Sequence, residues 1–159
     1  MQHDSYTDDY IRDILRDTHT IAMVGASTNW KRPSYFVMKY MQSKGFRVIP
    51  VNPGSAGEEL LGETVVAGLS EISVPVDMVD IFRNSEAAGA VTDEAIAIGA
   101  RIVWMQFAVR NDAAARRAED AGLRVVMDRC PKVEYSRLHG DLSWNGFNSR
   151  IISSKRQKR

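Results

Sequence analysis

The chain has 159 residues, 44% of them hydrophobic and 26% charged, with 21 Lys and Arg against 20 Asp and Glu. That length and balance suit one globular domain with a core of its own. Lys155, Arg156, Lys158 and Arg159 lie in the last five positions; without them 17 basic residues face 20 acidic ones, a net −3, which argues against a nucleic-acid partner held through phosphate charge.

No window reaches the ~18–20 apolar residues that span a bilayer, so no membrane association is expected. The amino terminus, MQHDSYTDDY, has neither the basic start nor the apolar run of a signal peptide. With Cys130 as the single cysteine, no internal disulfide forms, and a cytoplasmic location is expected. One cysteine and three scattered histidines (His3, His19, His139) build no four-ligand zinc site.

Residues 5–18 place Tyr6, Tyr10, Ile11, Ile14 and Leu15 at helical spacing behind Thr7-Asp8, which predicts an amphipathic helix. TIAMV (20–24) is a continuous apolar run ending at Gly25, the pattern of a strand buried on both faces. Residues 34–44 are helical in period, with Gly45 as the stop. RVIPV (47–51) is a second strand, closed by Asn52-Pro53-Gly54. Residues 55–75 are irregular, with a short helix near 68–72.

DMVDIF (77–82) is a third strand, 85–100 a helix, RIVWM (101–105) a fourth strand, 111–121 a helix and RVVM (124–127) a fifth strand. Short strands alternating with helices of 10–15 residues are the mark of βαβ units. The fold class is therefore α/β, a Rossmann-like doubly wound sheet of mainly five parallel strands with helices on both faces. The simplest strand order is 3-2-1-4-5. One domain covers 1–139, and 140–159 form a polar, basic tail.

Open α/β sheets bind ligands beyond the carboxyl ends of their strands. After the first strand, Gly25, Ala26 and Ser27 let backbone approach a ligand, the next helix turns free N–H groups that way, and Lys31 and Arg32 add charge: an anion site. The loop is not G-x-G-x-x-G, because Ser27 and Trp30 stand where glycines belong. The second strand ends in Val51-Asn52-Pro53, without the carboxylate that holds a ribose in dinucleotide sites. That turn is a ligand wall or an ordinary turn with equal ease. Phe82 and Arg83 follow the third strand as an aromatic edge and a third cation. Trp104 reads as core, while Met105 and Gln106 offer apolar surface and one amide.

Cys130 follows the fifth strand, where Arg129 or Lys132 would favour the thiolate; a buried, inert thiol is the commoner case. The histidines lie outside these loops, so no nucleophile–base pair assembles. Glu58-Glu59 and Glu119-Asp120 read as solvated faces, and Asp77 and Asp80 as the edge of a strand. No catalytic constellation is legible.

VGAS, RPS, VIPVNP, LLGE, VDMVDIFR, AIAIGA, WMQ and VVMDRCPKVE, in that order over about residues 10–138, resemble the small bacterial and archaeal CoA-binding proteins. That family is similar to the CoA-binding domain of the succinyl-CoA synthetase α subunit. ISSKR at 152–156 also occurs in some of its members.

The resemblance implies a stand-alone domain that binds coenzyme A or a short acyl-CoA and has no established reaction. It would place Gly25, Ala26 and Ser27 at the pyrophosphate with Lys31 and Arg32 close by. Asn52 and Pro53 would wall the channel, Phe82 and Arg83 would flank the adenine, and Met105 and Gln106 would meet the pantetheine. Cys130 would lie toward the thiol end. Two departures stand out: Gly54-Ser55 replace the lysine that follows Asn-Pro in the synthetase domain, and Ala108 stands where glycine is expected. The synthetase's second domain, with its phosphorylated histidine, has no counterpart, so no ligase activity follows.

The expectation is non-catalytic CoA binding in sensing, carriage or regulation, as a homodimer or with a partner enzyme. Its rivals are an NAD(P)-dependent oxidoreductase with a degenerate fingerprint, and a regulatory subunit with a vestigial pocket that uses Tyr6–Leu15 and the basic tail as contact surfaces.

Overall fold

The structure is a computed structural model and describes residues 1–140. The expected basic tail, with its charges at 155–159, lies outside the described residues. Five parallel strands form one sheet: β1 (Thr20–Val24), β2 (Arg47–Val51), β5 (Met78–Ile81), β6 (Ile102–Met105) and β7 (Arg124–Val126). A small antiparallel pair, β3 (Glu59–Leu60) and β4 (Glu63–Thr64), lies between β2 and β5 in the chain. Helices α1 (Asp8–Arg16), α2 (Pro33–Ser43) and α5 (Pro131–His139) cover one face, and α3 (Ser85–Ala97) and α4 (Asp112–Asp120) the other.

Alternation along each strand divides the core in two. Val79, Ile81, Val103 and Met105 meet the alanine-rich faces of α3 and α4, whereas Ile21, Met23, Met78, Ile102 and Trp104 meet α1, α2 and α5. Helix α5 contacts both α1 and α2 and so lies between them. The sequence pattern predicts no helix here; Pro131 at the first position starts it, and Gly140 at φ +79 ends it.

The strand order is β2-β1-β5-β6-β7, or 2-1-3-4-5 in the five-strand count, and this corrects the 3-2-1-4-5 expected above. Pro50 supplies the physical reason. The Val66 N–H donates to the Pro50 carbonyl at 3.0 Å and the Asn52 N–H donates to the Val66 carbonyl at 2.9 Å, along the side of β2 away from β1. The missing N–H of Pro50 faces that same side, which a further central strand would require. The chain therefore seals the outer edge of β2 with Val66 and returns to the other side of β1. There the Asp77 carboxylate accepts the N–H groups of His19 and Thr20 at 2.9 and 3.0 Å, and β5 begins beside β1.

Among the described residues the opposite edge has no strand partner either. Instead the Tyr10 hydroxyl donates to the Val125 carbonyl (2.8 Å) and accepts its N–H (3.1 Å), and the Tyr6 hydroxyl accepts the Met127 N–H (2.8 Å). Two phenols on and before α1 thus satisfy the backbone of β7, which protects an otherwise open edge.

Candidate ligand site

In a 2-1-3-4-5 sheet the topological switch lies between the first and third strands. The loops that follow β1 and β5 meet there. Gly25 adopts φ +92, which only glycine takes at no steric cost. A Cβ at this position would lie 2.8 Å from the Phe82 carbonyl oxygen and 3.2 Å from Arg83 Cδ. The glycine is therefore fixed both by its backbone angle and by the loop pressed against it.

Asn52 brings in the loop after β2. Its Nδ2 donates to the Ala26 carbonyl at 2.8 Å, and its Oδ1 accepts the Gly54 N–H at 2.9 Å. Within the first loop the Ser27 N–H donates to Ser34 Oγ and the Asn29 N–H to Ser27 Oγ, both at 3.0 Å. These bonds hold residues 25–34 around a crevice of about 310 Å³ lined by Gly25, Ser27, Arg32, Pro33, Ser34, Asn52 and Phe82. That volume is at the small end of the roughly 300–1,000 Å³ of small-molecule sites, so it fits one part of an extended ligand.

Among the described residues no carboxylate lines the crevice. Helices α1, α3 and α4 have side-chain caps from Thr7, Asn84 and Asn111, whereas α2 starts at Arg32 and Pro33 with none. Pro33 has no N–H and the Tyr35 N–H donates to the Arg32 carbonyl at 3.1 Å, so it is the positive end of the helix dipole that favours an anion here, and the exposed guanidinium of Arg32 has the same sign. Helix α5, capped by neither Cys130 nor Pro131, begins in the same way beyond β7.

The remaining expected residues are distributed unevenly. The Arg83 stem lies against Gly25, and its head is exposed. Lys31 is exposed with its Nζ 5.6 Å from the Trp30 ring centre. Ala26 is buried and meets Asn52 through its carbonyl, and Pro53 is exposed beside it. Met105 departs from expectation: it is fully buried against α3 and α4. Strand alternation turns its side chain to the face opposite Gln106, so no pantetheine contact by that side chain is available.

Gln106 is 6% exposed, and its Oε1 has no hydrogen-bond partner among the described residues. Cys130 is buried in the core beneath α5. The cations expected to activate it point elsewhere: Arg129 stacks over Tyr6 at 5.1 Å and donates to Asp128 and Asp4 carbonyls, and Lys132 lies 5.6 Å from the Tyr40 ring centre.

Several features of the site are not legible in the sequence pattern. Ser34 supplies an oxygen that shapes the first loop; its place just after Arg32-Pro33, at the start of a helix, was the available signal. Asp80 is not at a strand edge but in the middle of β5, fully buried. Ala108 and Asp128 both adopt left-handed backbone, φ +68 and +59, and the Ala108 N–H donates to Asp128 Oδ1 at 2.6 Å. Among the described residues no group of three or more potential ligating side chains could hold a metal, and no helix is long and apolar enough to cross a membrane.

A parallel α/β sheet with a positive, glycine-lined crevice at its switch point defines a Rossmann-like nucleotide-binding class. Residues 19–136 match the family model described as CoA binding domain, and the chain belongs to that family. It is 38% identical over 126 residues to YneT of Bacillus subtilis (strain 168), an uncharacterised protein, with 79% of this chain and 92% of that one aligned. Among solved structures it is similar to cell-free ID.343 of Thermus thermophilus, at 39% identity, TM-score 0.79 and coverage of 84% and 99%. The fold alone is shared with the dinucleotide-forming acetyl-coenzyme A synthetase 1 of Ca. Korarchaeum cryptofilum, at 24% identity and TM-score 0.60, over 71% of this chain and 26% of that one.

Proposed function

We propose that this chain binds coenzyme A, or a short acyl-CoA, across the carboxyl edge of its sheet, and that it catalyses no reaction but serves in sensing, carriage or regulation of CoA. The observation that carries this reading is the crevice at the switch point, where Gly25 leaves no room for a side chain and the uncapped start of α2 stands beside Arg32. A pyrophosphate fits that setting, since backbone approaches it closely and no carboxylate among the described residues lines it. Arg83 and Lys31 are within the same set of loops and suit further phosphate groups.

Asn52 commits both ends of its amide to the protein's own loops, so a nicotinamide dinucleotide finds no ribose acceptor there. The pantetheine arm needs none, and the orphan oxygen of Gln106 is matched to an amide N–H. The non-catalytic part of the proposal rests on the histidines: His19 is at the amino end of β1, His139 stacks on Tyr135 at 3.9 Å, and His3 contacts Tyr6 and Glu119. A cytoplasmic location belongs to the same proposal.

Thermal unfolding tests it. CoA at about 100 times its dissociation constant adds about 2.7 kcal/mol of stability, so Tm should rise by several degrees, and NADH at the same concentration should leave it unchanged. A rise with NADH and none with CoA would overturn the reading.

A further inference from the structure

Asp80 lies in the middle of the central strand β5, paired in register with Met23 of β1 and Trp104 of β6. Both neighbours are fully buried apolar members of the core under α1, α2 and α5. The Asp80 side chain is itself fully buried, and among the described residues neither carboxyl oxygen has a hydrogen-bond partner. Among the described residues no cation or N–H compensates a charge there, and burial pushes its carboxyl well above the usual carboxylate range. Burial of this kind favours the neutral acid, the form that carries an O–H donor. An unsatisfied polar group at such a position destabilises the empty protein, and a leucine would be the ordinary occupant.

The location of this cost is informative. Three of the four buried side-chain atoms without a partner among the described residues belong to Asp80 and Gln106. Gln106 lies two residues beyond Trp104, and Phe82 two residues beyond Asp80, so by alternation all four occupy one side of the sheet at its carboxyl end. Phe82 is half-buried, packs on this core and lines the crevice. On that face Phe82 is therefore the next side chain from Asp80 in the direction of the crevice.

We propose that Asp80 is a ligand-binding residue: with Phe82 turned aside, its carboxyl donates to the carbonyl of a secondary amide in an extended ligand while Gln106 Oε1 accepts the amide N–H. A trans amide presents acceptor and donor on opposite sides, which matches a donor and an acceptor carried by neighbouring strands. The inference rests on the CoA reading and deepens it, assigning the pantetheine arm to the Asp80–Gln106 side and the phosphates to the Gly25–Arg32 side.

Two measurements test it. In calorimetric titration with CoA, Asp80→Leu should weaken binding about tenfold or more while raising Tm, and Asp80→Asn, which keeps a donor, should stay within about threefold. In the unaltered protein, the infrared band of a protonated carboxyl that disappears in Asp80→Asn should change frequency when CoA is added. If Asp80→Leu does not fold, the infrared band alone decides. Undiminished CoA binding by folded Asp80→Leu, or an unmoved band in protein that calorimetry shows to be loaded, would overturn this inference and leave the CoA reading standing. No CoA binding by the unaltered protein would overturn both.

Discussion

Replacing Gly25 with alanine tests the geometry of the crevice directly, because two separate penalties apply. The first is conformational: φ is +92, and a left-handed residue with a Cβ costs about 1–2 kcal/mol, less the roughly 0.5–1 kcal/mol that glycine loses in chain entropy, or about 1 kcal/mol net. The second is steric: the new Cβ would lie 2.8 Å from the Phe82 carbonyl oxygen and 3.1 Å from its carbon. These are backbone atoms that cannot swing away, and overpacking of this kind costs about 1–3 kcal/mol. Gly57 is an internal control, with φ +92 and nothing within 4 Å of the place a Cβ would take. Gly57→Ala should therefore lose about 1 kcal/mol and Gly25→Ala about 2–4 kcal/mol in urea unfolding, roughly 3–4 °C of Tm per kcal/mol. Gly25→Ala should also weaken CoA binding by displacing Phe82 and Arg83. Equal losses for the two variants, within about 0.5 kcal/mol, would refute the close approach of the two loops.

Ala108→Gly should stabilise the protein by up to about 1 kcal/mol, since it relieves the left-handed backbone at φ +68; a loss in chemical denaturation would contradict that account. Tyr10→Phe removes the hydroxyl bonded to both polar groups of Val125 and should cost about 1–3 kcal/mol. Burial pushes the Tyr10 phenol up to about 12 from 10.0, so the stability it contributes is intact below pH 10 and is lost as pH rises toward 12. Stability of Tyr10→Phe should accordingly fall less over that interval, and a parallel fall would show that another group governs it. Cys130→Ser should leave CoA affinity within about threefold, or roughly 0.6 kcal/mol, because the thiol is buried and its neighbouring cations are turned toward aromatic rings; a larger loss on titration would make the thiol a ligand contact.

What the sequence could show depended on how much of each feature is local. The five main strands and the helices between them follow from apolar runs, periodicity and glycine stops, all of which lie within one element. Strand order is not local, and the one residue that reports it, Pro50, is apolar enough to pass as part of a buried run. With β2 at the edge, Phe82 and Arg83 become the neighbours of Gly25, which only a switch between the first and third strands allows. Helix α5 is hidden because DRCPK reads as a loop, although Pro131 and Gly140 bracket it as start and stop. Met105 and Gln106 are adjacent in sequence yet face opposite sides of the sheet, so one motif supplies both a core residue and a candidate contact. Asp80 escapes for the converse reason: a carboxylate in the run MVDI suggests an exposed edge, and its full burial is visible only once β1 and β6 flank it.

The central claim is that the crevice takes the phosphates of CoA and not those of a nicotinamide cofactor. Calorimetric titration of the full chain with CoA, dephospho-CoA and NADH under identical conditions tests it most directly. The account predicts micromolar binding of CoA, about −8 kcal/mol, weaker binding without the 3′-phosphate, and no heat with NADH. Tight NADH binding would contradict it in favour of an oxidoreductase, and silence with all three ligands would contradict it in favour of a vestigial pocket.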